Sequence, residues 1–127
     1  MSFQVTYHEG KNYIESCLEE DFNWSVMEKM VPRISKWVNE KNCTNILLDF
    51  REGNLDLPTL KIYLMPERLG EEFKKYGVSL LSLRRAMVIK DHDRDYHFLE
   101  TVSRNNSQNL HLFLDKEDAI KWLIEGD

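Results

Sequence analysis

The stretch Asn45-Ile46-Leu47-Leu48-Asp49-Phe50 constrains this chain more than any other. Four apolar residues in a short run, bounded by polar ones, read as a strand buried on both faces. Such strands occupy the interior of parallel sheets with helices packed above and below. The segment Ala86-Met87-Val88-Ile89, introduced by Arg84-Arg85, repeats the pattern. The loop Arg51 to Pro58 leaves the carboxyl end of the first strand and leads into a helix, which is where α/β folds place their working groups.

The flanking segments fit the same architecture. Phe3, Val5 and Tyr7 alternate with polar residues, and Tyr13, Ile14, Ser16 and Leu18 resume an extended pattern after the turn-forming His8-Glu9-Gly10-Lys11-Asn12, so residues 3–19 form a β-hairpin. From Trp24 to Lys41 the residues Met27, Met30, Val31, Ile34, Trp37 and Val38 share one helical face, with Asp21 and Asn23 as candidate caps and Asn42 as a left-handed terminus. Pro32 predicts a kink there, or two short helices.

Asp56 is the expected cap of the next helix, which carries Leu57, Leu60, Tyr63 and Leu64. Pro66 predicts a break near Met65, with a restart through Leu69 and Phe73 to Tyr76 and a stop at Gly77. Val78 to Leu83 is an apolar connector without a clean period. Asp91 to Asp95 leads into a helix holding Tyr96, Phe98, Leu99 and Val102. Leu110 to Leu114 is the last strand, and Asp115-Lys116-Glu117-Asp118 caps a final helix built on Ala119, Trp122 and Leu123. The order ββαβααβαβα calls for one α/β domain over residues 1–127, with a mixed, largely parallel sheet of four or five strands.

Composition narrows the function. A chain of 127 residues with 42% hydrophobic and 31% charged residues buries a core without disulfides or metals. The net charge of −5 argues against nucleic acid, which needs a dense basic face; a slight basic cluster at Lys74, Lys75, Arg84 and Arg85 is weakened by Glu71 and Glu72 beside the first pair. Apolar runs of a few residues exclude membrane insertion. The start Met1-Ser2-Phe3-Gln4 shows no secretory pattern, and Cys17 and Cys43 lack CxxC spacing, so a cytoplasmic protein with two free thiols flanking strands is expected.

Asp91, Asp93 and Asp95 begin like a calcium loop, but Tyr96 stands where glycine is needed and Val102 where the bidentate acid is needed; helix capping is the better reading. His92 and His97 lack metal-ligand spacing, His111 is a strand histidine and His8 sits at the hairpin turn. There is no G-x-S-x-G elbow and no glycine-rich phosphate loop, and Glu67, Glu71 and Glu72 read as a solvated helix face. No catalytic residue, metal or cofactor is therefore expected. With Ile62 and Met65 added, the apolar arc of the Leu57 helix is wider than one packing face requires. Either a broken helix packs on two sides, or part of this surface, with Val78–Leu83, receives a partner or an apolar ligand.

Several segments carry a family resemblance. They are Ile46 to Phe50, Thr59 through Leu69, Arg85-Ala86-Met87-Val88, Val102-x-Arg104-Asn105, Leu112-Phe113 and Glu117-x-Ala119-x-x-Trp122-Leu123. In these the chain resembles the SpoIIAA-like, or STAS-like, small α/β proteins of bacteria. The resemblance implies a helix-wrapped sheet with a topology shared with CRAL-TRIO lipid-binding domains, and a non-enzymatic, regulatory role. Its better-known members are anti-sigma-factor antagonists, switched by phosphorylation of a serine at the helix start after the central strand. Here that stretch reads Asn54-Leu55-Asp56-Leu57-Pro58-Thr59, without an Asp-Ser-Ser-Gly type sequence, so the phosphosite is not carried over to Thr59, the nearest hydroxyl. The expected docking surface is Arg51, Asn54, Asp56, Thr59, Leu60, Tyr63 and Leu64, for a protein partner or a second copy. The alternative is a carrier of a lipid or other small apolar ligand.

Overall fold

In the computed structural model, which describes residues 2–126, five strands form one sheet in the order in which the chain makes them. β1 (Phe3–His8) and β2 (Tyr13–Leu18) are the expected antiparallel hairpin. β3 (Asn45–Asp49), β4 (Arg84–Val88) and β5 (Asn109–Phe113) extend it with parallel pairings only. The connections are α1 (Trp24–Lys41), α2 (Thr59–Lys74) and α3 (Arg94–Asn105), and α4 (Lys116–Glu125) follows β5. Three crossovers stepping in one direction, each with the right-handed sense such units adopt, put α1, α2 and α3 on one face. Only α4 is left for the other.

The strand periodicity divides the core accordingly. Ile14, Leu18, Ile46, Leu48, Met87 and Leu110 face the three-helix layer, while Tyr13, Leu47, Ala86 and Val88 face Ala119 and Leu123 of α4. A helix is about 10 Å wide and strands are about 4.8 Å apart. One helix therefore covers β3 to β5 and leaves the β1–β2 end of its face open.

The prolines do not break their helices. α1 runs unbroken through Pro32, and α2 runs through Pro66 where a break near Met65 was predicted. Ile62, Met65 and Phe73 lie on both sides of Pro66 and are all buried in the same core. At about 2 kcal/mol for each buried side chain, they outweigh the roughly 3 kcal/mol that an interior proline costs. The second helical element between β3 and β4 is instead a 3₁₀ turn, Leu80–Ser82, reached after Gly77 adopts φ 75°. That turn is the structure of the connector that showed no period.

Capping is partly as expected. Asn23 accepts from Val26 N, Asp93 from Asp95 N and Tyr96 N, and Asp115 from Asp118 N. Asn42 takes the left-handed conformation at φ 51°. Asp56 does not cap α2. The cap is Pro58, extended and without a side-chain bond, because the Asp56 amide is committed to the Phe22 carbonyl beside a one-residue parallel bridge between Phe22 and Leu55.

Three further expectations are corrected. Glu72 is not on a solvated face: it is buried and paired with Lys75 at 2.6 Å. Arg84 and Arg85 form no surface patch, since Arg84 stacks on Trp122 and Arg85 is buried. Cys17 lies within β2, not beside it. Between the three-helix layer and the sheet lies a void of about 40 Å³ lined almost wholly by apolar residues, smaller than the roughly 150 Å³ of an apolar cavity that binds benzene. Among the described residues no helix is long and apolar enough to cross a membrane.

Candidate functional site

The wide apolar arc of α2 divides cleanly. Ile62 and Met65 turn into the core, whereas Leu60 (67% exposed), Tyr63 (60%) and Leu64 (38%) turn to solvent. Positions 60, 63 and 64 are i, i+3 and i+4, adjacent on one helical face. Thr59, also exposed, begins the helix and borders a groove with Arg94, Asp95, His97, Phe98 and Thr101 of α3. Beside that groove His92 Nδ1 and His97 Nε2 lie within hydrogen-bond distance of each other, at 3.0 Å.

The loop residues are placed differently. Asn54 and Asp56 are exposed, and their amides are held by Asp21 Oδ1 at 3.0 Å and the Phe22 carbonyl at 2.9 Å. Arg51 does not join the α2 surface. It turns to the α4 side of the sheet and grips Asp49 with two bonds, Nε to Oδ1 at 2.9 Å and Nη2 to Oδ2 at 2.8 Å.

That grip belongs to a polar cluster that sequence reasoning missed. On the open end of the α4 face, Glu15 and Cys17 of β2 lie next to Asp49 of β3, with oxygen and sulfur atoms within 4.8 Å of one another. Lys116, the first residue of α4, bonds Glu15 Oε2 at 2.7 Å and stands 3.6 Å from Asp49 Oδ2. His8 contacts the other Glu15 oxygen at 2.8 Å. Both carboxylates are thus paired with protein cations. Burial pushes the Cys17 thiol up, and the Asp49 and Glu15 charges push it further, which keeps it protonated and weakly nucleophilic. The legible signal was one aspartate closing an apolar strand. Lys116 was not legible, because it is 101 residues from Glu15 in the chain.

Burial alone would raise the Asp49 carboxyl, but the Arg51 hydrogen bonds and charge, with Lys116 behind, outweigh it and hold the group below its ordinary 3.8. A carboxylate whose folded pKa is depressed stabilises the fold above its unfolded pKa, and that stability is lost as pH falls through the folded value. We expect Asp49→Asn to be less stable than wild type at pH 7, and the gap to close below about pH 4. Urea midpoints measured from pH 7 to pH 2 check this; a gap that stays constant over that range contradicts it.

The fold and these surfaces define a class: a mixed α/β domain whose largely parallel sheet starts with an antiparallel hairpin and carries three helices on one face. Within that class the chain is similar to the solved structure of the anti-sigma factor antagonist SpoIIAA in its unphosphorylated form. The match has a TM-score of 0.56 and 14% sequence identity and covers 94% of each chain. The expected SpoIIAA-like fold is therefore found. No family model matches the sequence, and neither does any curated protein.

Proposed function

We propose that this is a non-enzymatic, cytoplasmic regulatory domain that docks a protein partner through Thr59, Leu60, Tyr63 and Leu64, flanked by the loop residues Asn54 and Asp56. The observation that carries the reading is the outward apolar triad on α2, at the carboxyl end of the sheet, in a helix whose core-facing positions are already filled. Three large apolar side chains on one short face exceed what a monomer's solvated helix needs; tyrosine is a residue type that carries binding energy at interfaces, and the two leucines beside it would exclude water from the contact. The likeness to an anti-sigma factor antagonist supports a partner-binding role over a catalytic one. The Glu15–Cys17–Asp49 cluster is consistent with that, because its two acids pair with Lys116 at the start of α4 and its thiol is held protonated.

Leu60→Asp tests the surface. Because Leu60 is exposed, the variant should fold with unchanged circular dichroism and melting temperature. It should lose partner capture by at least about tenfold, the effect of a central interface residue worth about 1.4 kcal/mol or more. Light scattering on the purified chain identifies the case in which the partner is a second copy. Equal capture by a folded Leu60→Asp variant would overturn the reading.

A further inference from the structure

Arg85 has an unusual position. It is the second residue of β4, and its side chain enters the apolar layer beneath α1, α2 and α3, where it is 4% exposed. None of the ion pairs among the described residues includes it. Its hydrogen bond is Nη2 to Gln108 Oε1, at 3.2 Å, and its Nε has no partner. Burial lowers its pKa to about 10, which leaves it cationic at neutral pH. A buried cation without a counter-charge is among the costliest groups a fold can hold, and native proteins satisfy it with an anion.

The surroundings show where such an anion can come from. On one side Arg85 lines the core void of about 40 Å³. On the other its bonding partner Gln108 forms part of an open groove of about 420 Å³ at the amino-terminal edge of the sheet. Val78, Leu80 and Leu81 give that groove apolar walls, and Lys74 is the charged residue that lines it. There is free space beside Gly70, where a Cβ would meet only Leu80 Cδ2, at 4.0 Å. Gln108 Nε2 donates to the Pro66 carbonyl at 2.9 Å, which turns its amide oxygen to Arg85. A neutral amide oxygen at 3.2 Å is a weak acceptor for a guanidinium compared with a carboxylate, which the planar fork of arginine matches with two bonds.

We propose that this groove binds a monocarboxylate with an apolar tail, the carboxylate displacing Gln108 Oε1 as the acceptor for Arg85 and the tail lying on Val78, Leu80 and Leu81. A single uncompensated guanidinium, with Lys74 at the groove, calls for a single negative charge. The apolar walls call for a hydrocarbon tail, and the volume is that of a small-molecule site. The site is independent of the docking surface: Lys74 ends the helix that Thr59 begins, so the two lie at opposite ends of α2.

Sodium octanoate, octanol and octylammonium chloride, titrated at matched ionic strength into the purified chain and followed by amide chemical shifts, test the proposal. Octanoate should bind at least tenfold more tightly than octanol or octylammonium. Arg85→Met should remain folded and bind octanoate at least tenfold more weakly. Leu81 is 60% exposed on its turn, so Leu81→Asp leaves the core untouched and should weaken octanoate binding to the same degree even if Arg85→Met does not fold. No octanoate binding at millimolar concentration, equal binding of octanoate and octanol, or wild-type affinity in Leu81→Asp or in a folded Arg85→Met would each overturn it.

Discussion

Gly53→Ala should destabilise the protein by about 3 kcal/mol, although the change adds one methyl group to a loop. A Cβ at position 53 would stand 2.1 Å from the backbone carbonyl oxygen of Glu20, a separation no relaxed side chain can relieve because both atoms are tied to backbone. The φ of Gly53 is not positive, so the requirement is close approach and not conformational freedom. To make room, the loop must move away from the segment before α1. Three bonds join the loop to that segment: Phe22 N to the Asn54 carbonyl at 2.8 Å, Asp56 N to the Phe22 carbonyl at 2.9 Å, and Asn54 N to Asp21 Oδ1 at 3.0 Å. At about 1 kcal/mol each, their loss sums to the stated value. Urea denaturation measures it, and a loss below about 0.5 kcal/mol, the size of an ordinary surface effect, would show that the loop yields without breaking them.

Phe50→Ala should cost about 3–5 kcal/mol, the range for removing a buried aromatic side chain. Phe50 is 1% exposed, its ring lies 5.0 Å from that of Phe22, and its amide donates to the Val88 carbonyl at 2.9 Å. The side chain thus closes the core where β3 ends and the Arg51–Pro58 loop starts. Its removal leaves a cavity continuous with the existing one, because Phe50 and Phe22 both line it. Phe50→Leu, which keeps most of the volume, should cost much less. Equal losses for the two variants, measured by the same denaturation, would mean that the ring's shape and not the filled volume matters.

These two positions bracket what could be read without a structure. Phe50 was legible as core, because the run Ile46 to Phe50 admits no other placement. Gly53 was legible only as a loop residue, since nothing in the chain marks Glu20 as its neighbour. The same contrast holds at the candidate site. Leu60, Tyr63 and Leu64 could be named from the arc of α2, but their exposure depends on Ile62 and Met65 filling the inner face. Arg51, named with them, faces the opposite side of the sheet and pairs with Asp49. Glu72 and Arg85 looked like solvated charges, and both are buried.

By itself the sequence determined the order of elements, the hairpin, the buried strands and three of the four helix caps, because period, turn chemistry and capping are local properties of neighbouring residues. Only the tertiary structure decided the rest. It kept α2 continuous through Pro66, because residues on both sides of the proline share one core. It gathered Glu15, Cys17, Asp49 and Lys116 at the open end of one sheet face, because α4 is wide enough to cover only part of it. And it buried Arg85 without a counter-charge behind Gln108, because that arrangement depends on where α2, α3 and β4 meet, which no local pattern encodes.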